Sequence, residues 1–187
     1  MNISRLGLTD ASVFLKCLVL MAGATILVAT VLSLLNVRTT NAAIDNGIRE
    51  LAEATTNSAA AANGAALRFG NVAAVEEALG RALDTANGAA QHAIAVNAQG
   101  EMLVDTGAGA ASELFTLAQA ALASGEEQLS DDGFLRAVPS FTGSDTANAA
   151  GAIAILWTPA LSRAAAQSQL ALNLALSAVV LALLLYG

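Results

Sequence analysis

Two long apolar segments lie near the two ends of the sequence and enclose a more polar stretch. The first runs from Phe14 to Leu35 and carries no charge after Lys16, and the second runs from Leu170 to Gly187. A helix needs about 20 apolar residues to cross the ~30 Å hydrocarbon core of a bilayer. The pattern therefore predicts four regions: a cytoplasmic lead (1–13), a first transmembrane helix (14–36), an extramembrane domain (37–166) and a second transmembrane helix (167–187).

Small residues recur at four-residue spacing in both predicted transmembrane helices. Such a face lets a second helix approach closely, so we expect these positions to pack helices together. An ordinary lipid-exposed helix with scattered small residues is the alternative. The positions are Thr25, Ala29 and Ser33 in the first helix, and Ala171 with Ala175 and Ala178 with Ala182 in the second.

The helical pattern of the first segment continues beyond the predicted membrane boundary. From Val37 to Ala66, weakly apolar residues recur three, four or seven positions apart, which is typical of one narrow helix face. The spacing predicts one long helix over about residues 14–66. So narrow an apolar face does not stabilise an isolated helix in water. We therefore expect a partner, either the same helix of a second copy or the helix that returns to the membrane.

The central region switches between the periods of helices and strands, which predicts an α+β fold with a small antiparallel sheet of four strands. Asn71 is a candidate N-cap, and Thr158-Pro159 is typical of a helix start. The predicted elements are a helix between Asn71 and Gly88, a hairpin over 92–107 with its turn at Ala98–Gly100, a helix over 110–124, strands over 133–141 and 151–157, and a helix from Thr158 onward.

The charge of the chain limits its partners and sets its orientation. The formal net charge is −7, and almost all of the acidic residues lie between Asp45 and Asp145. This balance argues against nucleic acid and against an anionic membrane surface as partners.

Arg5 and Lys16 lie at the N-terminal side of the first span, so the N-terminus is predicted to be cytoplasmic. The domain then lies outside, in the periplasm if the host is a Gram-negative bacterium with this chain in its inner membrane.

No arrangement of residues in the sequence suggests catalysis. The chain has one His and one Cys, and it lacks a metal-ligand motif, a glycine-rich phosphate loop after a strand and a nucleophile turn. We therefore expect no enzyme activity, no cofactor and no metal.

Three residues of the predicted strands are candidates for binding a small molecule. Arg136 lies in mid-strand and could hold a carboxylate bidentately; facing solvent is the alternative. His92 opens the first strand, with a surface or capped histidine as its alternative reading. Trp157 ends the last strand and could offer a stacking surface, although a core residue or an anchor at the membrane interface is also consistent with its place.

Four segments together resemble a known family: NVAAVEEALGRALD (71–84), HAIAVNAQGEMLVDTG (92–107), FLRAVPSF (134–141) and GAIAILW (151–157). In order and pattern they are similar to the periplasmic sensor module of bacterial methyl-accepting chemotaxis proteins and sensor kinases, the PAS-like single Cache domain. The resemblance implies a receptor that binds a small molecule in the pocket of its sheet and dimerises through its long helices. It also implies a small sliding shift of the second span.

Two functions remain open at this stage. The first is a chemotaxis-type sensor that passes a signal across the membrane, with its signalling domain expected beyond Gly187. The second is an accessory or structural subunit of a larger membrane complex, which would dock through its two spans. Both make the lipid bilayer a partner, and they predict a homodimer and a larger complex, respectively.

Overall fold

The computed structural model describes residues 13–107, 111–143 and 148–186. The chain divides into two units, Met1–Ala42 and Ala43–Gly187. Helix α1 begins in the first unit and ends in the second, and all other elements belong to the second. They are α1 (Val13–Arg68), α2 (Val72–Thr85), β1 (Ala90–Asn97), β2 (Met102–Asp105), α3 (Ala111–Ser124), β3 (Gln128–Leu129), β4 (Leu135–Ser140), β5 (Gly151–Trp157) and α4 (Ala160–Tyr186).

The predicted α+β class and the long N-terminal helix are both confirmed, but the number of strands is wrong. The described residues form a five-stranded sheet in the order β2-β1-β5-β4-β3, and every neighbouring pair is antiparallel. The missed strand, β3, has only two residues, which is too short for an alternating pattern to appear. Pro139 lies in β4 beyond the part of that strand that β3 pairs, so its missing N–H breaks no bond to β3.

Helices cover both faces of the sheet in the second unit. On one face, α1 and α2 contribute Leu67, Val75 and Leu79 to a cluster with alternate residues of β1 and β5, and Trp157 completes that cluster. On the other face, α3 packs on the intervening residues. That second cluster consists of Leu114, Ala118 and Ala121 of α3 with Ile94, Val96, Ala137, Ala152 and Ala154 of the sheet. The central strand β5 has no charged residue, as burial on both faces requires.

Local polar groups fix the ends of these elements as the sequence predicts. The side chain of Asn71 accepts from the N–H of Ala74 and caps α2. Asn97 organises the β1–β2 turn, since its side-chain oxygen accepts from the N–H groups of Gln99 and Glu101. The hydroxyl of Thr158 accepts from the N–H of Ala160 at the start of α4. These bonds fix the start of α2, the turn after β1 and the start of α4.

One predicted membrane span has a counterpart among the described residues. The helical stretch Gly23–Arg68 is long and apolar enough to cross a membrane by length and composition, with a mean hydropathy of 1.3 over an 18-residue window within it. The second predicted span falls on α4, but the side chains of residues 180–187 lie outside the described part of the chain, as do residues 1–12 of the cytoplasmic lead. A two-pass arrangement is thus not shown, and the second span stays a prediction.

The helix-packing positions lie on helices, as expected. In the first unit Thr25 and Ala29 are exposed and Ser33 is half-buried, and the hydroxyl of Thr25 donates to the carbonyl of Met21 at 2.8 Å. On α4, Ala171, Ala175 and Ala178 are exposed, and the side chain of Ala182 lies outside the described residues. Their role in holding helices together stays a prediction.

Candidate functional site: the α1–β4 seam and the α1–α4 junction

The part of α1 in the second unit is joined to strand β4 by polar groups and close backbone contacts, and we call this contact the α1–β4 seam. At one end, Arg49 donates to the carbonyl of Asp132 at 3.0 Å, and its guanidinium lies 5.2 Å from the centre of the Phe134 ring. Farther along, the hydroxyl of Ser140 donates to the carbonyl of Ala60. The seam therefore fixes α1 against the sheet at several points along β4.

Arg136 is the charged residue at the middle of this seam. It is 6% exposed, because its strand lies between β3 and β5 and its side chain extends under α1. It donates from Nη1 to the carboxylate of Glu127, just before β3, and its Nη2 lies 4.0 Å from the carboxylate of Glu53 on α1. Burial lowers the pKa of the Arg136 guanidinium, and the negative charge of Glu53 opposes that shift.

Helix α1 approaches the end of β4 closely at Gly64. A Cβ atom added there would lie 2.0 Å from the backbone oxygen of Phe141, so α1 can take this position only with glycine. Gly151, at the start of β5, is similarly confined, since a Cβ would lie 2.3 Å from the carbonyl oxygen of Val96. The part of α1 around Gly64 therefore lies against the sheet with no room for a larger residue.

A second polar contact joins α1 to α4, and we call it the α1–α4 junction. Arg163 binds Asp45 with both its Nε and Nη2 groups, at distances of 2.6 to 3.0 Å. Two parallel N–H···O bonds of this kind fix direction as well as distance. Strand β5 is linked to α4 by Thr158 and Pro159 alone, and the N–H of Thr158 donates to the carbonyl of Ala89. The sheet is thus connected to α4 through a short, hydrogen-bonded link.

His92 is buried rather than at the surface. It is 2% exposed and lies opposite Leu156, a residue that packs with the α3-face cluster. Its Nε2 lies 2.5 Å from a carboxylate oxygen of Asp105. This hydrogen bond, together with one from the N–H of Gly107, holds the pKa of Asp105 below its usual range. The pair ties the end of β2 to the start of β1.

Trp157 is a core residue in this fold. It is 1% exposed and belongs to the cluster beneath α1 and α2. The three predicted ligand residues therefore do not meet in one site. Arg136 and Trp157 lie on the face of the sheet covered by α1, whereas His92 lies on the face covered by α3. None of them faces solvent, because the sheet is covered on both sides.

Small side chains fill part of the face of the sheet under α3. Ala118 and Ala121 of α3 meet Ala137, Ala152 and Ala154 of the sheet in one packed cluster. These alanines bring part of the helix close to the strands, and the larger Ile94, Val96 and Leu114 fill the rest of the same cluster. A ligand between α3 and the sheet would therefore have to displace α3.

Two open depressions lie away from that packed face. The first, of about 480 Å³, lies between α1 and α2 and is lined by small and hydroxyl-bearing residues together with Asn63 and Arg81. The second, of about 660 Å³, lies at the rim of the sheet, between the β1–β2 turn and the C-terminal half of α3. The amide side chains of Gln99, Gln119 and Asn148 contribute to its lining, and Gln119 donates to the carbonyl of Gly100 at 3.2 Å.

The carboxylates that pair with Arg136 and Arg163 have no distinctive pattern in the sequence. Asp45, Glu53 and Glu127 stand among exposed acidic residues, and nothing in their spacing distinguishes them from a solvated helix or loop. Two features of the sequence hint at the second pair. Asp45 is a charged residue beside the weakly apolar face of α1, and Arg163 lies one turn into a predicted helix. They pair across 118 positions of the sequence, a separation that local patterns do not report.

Comparison of the chain with protein-family models, with curated proteins and with solved structures finds no match.

Proposed function

We propose that the chain is the sensor module of a membrane receptor, which detects a small molecule outside the membrane and passes the signal along its helices. The observation that supports this most directly is the α1–α4 junction. Strand β5 leads into α4 through two residues, and Arg163 of α4 is bonded bidentately to Asp45 of α1. A change in the sheet would therefore reach both helices that continue into the predicted spans.

The proposed type of module is the PAS-like single Cache domain of chemotaxis receptors and sensor kinases. The resemblance of the four sequence segments supports it, and so does an antiparallel sheet that lies between a long N-terminal helix and a C-terminal helix. In this proposal the chain crosses the inner membrane twice, with its N-terminus in the cytoplasm and the sheet domain in the periplasm. The long helices supply the homodimer contact, and the signalling domain is a separate part.

The depression at the rim of the sheet is the ligand site in this proposal. Its volume of about 660 Å³ lies within the range of roughly 300–1,000 Å³ that is usual for small-molecule pockets. Its amide groups can donate and accept hydrogen bonds but carry no charge. A neutral or zwitterionic polar molecule suits such a lining better than a strongly charged one, because it needs no compensating ion.

The test uses the full chain in lipid nanodiscs and follows the fluorescence of Trp157, the single tryptophan, during thermal unfolding. The samples contain a panel of amino acids, sugars, nucleosides and dicarboxylates. A sensor should be stabilised saturably by one chemical class, because a ligand that binds only the folded state raises its stability. The variant Gln119→Ala should weaken that response, whereas Gln167→Ala, an exposed amide on α4, should leave it unchanged.

The accessory-subunit function makes the opposite prediction in the same material. A chain that purifies from its host with a fixed set of other membrane proteins, and that no compound of the panel stabilises, would contradict the sensor proposal. A homodimer that responds to one compound class would contradict the accessory subunit.

A further inference from the structure

The α1–β4 seam contains a charged group whose bonds are incomplete. Arg136 has five N–H donors, yet the described residues provide one hydrogen-bonded carboxylate, that of Glu127. The carboxylate of Glu53 lies 4.0 Å from Nη2, which is beyond hydrogen-bond distance. The Nε group is buried and has no hydrogen-bond partner among the described residues. The Nε–Nη2 edge of this guanidinium, the edge nearer to Glu53, is therefore open.

A second buried polar atom lies along the same part of α1. Thr56 is fully buried, and its hydroxyl has no hydrogen-bond partner in the part of the chain that the structure describes. It lies one helical turn after Glu53 and one turn before Ala60, which accepts the hydroxyl of Ser140. Buried polar groups in folded proteins are nearly always bonded. Two orphaned groups at neighbouring positions indicate that the seam can take a more completely bonded arrangement.

The α1–α4 junction shows what that arrangement looks like. Arg163 presents its Nε and Nη2 groups to one carboxylate, that of Asp45, in a side-on pair. Glu53 could reach the same edge of Arg136 by a change of side-chain rotamer, because its side chain is 62% exposed and not otherwise confined. The movement needed is small, from 4.0 Å to the 2.7–2.9 Å of a charge-assisted hydrogen bond.

We propose that Glu53 and Arg136 form a latch between α1 and the sheet, which this structure holds open and which closes when Glu53 takes the Nε–Nη2 edge. Glu127 opposes closure in two ways. It draws the guanidinium toward β3, and its negative charge repels a second carboxylate at the same cation. Since Glu127 precedes a two-residue edge strand, displacement of that strand would release Arg136 to Glu53 and tighten α1 on β4.

The latch does not rest on the sensor proposal, because it concerns only the groups of the seam. The latch could regulate the position of α1 whatever the function of the chain. The edge of the sheet at β3 and the helix that carries the predicted first span would be linked through one buried cation. Displacement of β3 from the sheet would thereby hold α1 more tightly against β4.

The experiment is nuclear magnetic resonance of the full chain in detergent micelles with ¹⁵N-labelled arginine. The Arg136 Nε–H signal is assigned with Arg136→Lys, and its exchange with solvent is measured. Glu127→Gln should slow the exchange severalfold, since it removes the competing charge and lets Glu53 close the latch. Adding Glu53→Gln to that variant should restore the faster exchange, whereas Glu53→Gln alone should change the exchange little, because the latch is open in the wild type. Glu50→Gln, an exposed acid one turn earlier on α1, should change nothing.

The dependence of the Glu127→Gln effect on Glu53 keeps the proposal testable. Loss of a purely structural ion pair would accelerate exchange in Glu127→Gln, and that result would overturn the latch. Slow exchange that persists when Glu53→Gln is added to Glu127→Gln would overturn it too. Trp157 fluorescence shows whether each variant is folded, and Glu53→Asp, which shortens the side chain by one methylene, provides a second change to combine with Glu127→Gln if the first combination is unstable.

Discussion

The two faces of the sheet are packed in different ways. Beneath α1 and α2 lie Leu67, Leu79 and Trp157. The same face holds four of the five buried polar residues in the described part of the chain, Thr56, Asn63, Arg136 and Ser140. Beneath α3 lie mostly alanines, and His92 is the buried polar residue there. The α1 face is thus held by several bonds to buried polar groups, whereas α3 is held mainly by apolar contact, with one hydrogen bond from Gln119 to the carbonyl of Gly100. A hydrogen bond or ion pair can change partners without repacking the core. Both polar contacts proposed to adjust, the α1–α4 junction and the latch, involve α1.

The largest effect should come from filling a close contact of the α1 face. Gly64→Ala should destabilise the domain by about 1–3 kcal/mol, or more, because the added Cβ meets a backbone oxygen that cannot rotate away. Gly47→Ala, on the same helix with open space around it, should instead be neutral or stabilising by up to about 1 kcal/mol. Thermal unfolding followed by Trp157 fluorescence measures both, and equal effects would mean that α1 is not seated on Phe141.

A comparable effect is expected from enlarging the α3 face. Ala118→Leu should destabilise the domain by about 1–3 kcal/mol, because Ala118 is fully buried against the sheet. The control is Ala120→Leu, on the exposed side of the same helix. If Ala118→Leu were as harmless as its control, the space between α3 and the sheet would be large enough for a ligand, and the close packing described for this face would be contradicted.

Breaking the α1–α4 junction should cost less. Asp45→Asn should lower stability by about 1 kcal/mol, because the pair is only partly buried and water compensates for part of the loss. Asp84→Asn, an exposed acid on α2, should have no measurable effect. The same unfolding measurement distinguishes the two, and a loss of several kcal/mol in Asp45→Asn would show that the junction is a core contact rather than an adjustable one.

The smallest effect concerns pH and the α3 face. The pKa of Asp105 is lowered by its hydrogen bond with His92 and by the N–H of Gly107. A carboxyl group with a lowered native pKa stabilises the fold above its unfolded pKa of about 3.9. That contribution is lost as the pH falls through the lower native pKa.

Asp105→Asn should therefore be less stable than the wild type near neutral pH, and the difference should shrink as the pH falls below about 4. Melting temperatures at a series of pH values check this. Asp132→Asn is a matched comparison, because the hydroxyl of Ser130 and the N–H of Phe134 lower the pKa of Asp132 in the same direction. A difference between Asp105→Asn and the wild type that stays constant with pH would contradict the role given to the His92 hydrogen bond.

The elements of the fold could be predicted from the sequence because they have strong local signals. The N-cap at Asn71, the Gly100 turn and the Thr158-Pro159 helix start each act within a few residues, and the structure has all three. Strand β3 could not be predicted, since its two residues pair with a strand that follows and have no pattern of their own.

The candidate site was predicted less well. The sequence shows Arg136 as a charge in mid-strand, and its role in ligand binding stays a prediction. Its partners come from α1 and from the residue before β3, far apart in sequence. Patterns along the chain report which face a residue shares with its neighbours, not which distant carboxylate it meets. For the same reason the sequence did not reveal the bond between Asp45 and Arg163.

The central claim is that α1 is held by the sheet while α4 is held by its junction with α1. Hydrogen–deuterium exchange of the full chain in lipid nanodiscs tests this directly by comparing the wild type with Asp45→Asn. The account predicts faster amide exchange in the first turns of α4, residues 160–166, with unchanged protection of α1 over residues 52–67. Unchanged exchange in α4, or equal loss in both helices, would contradict it.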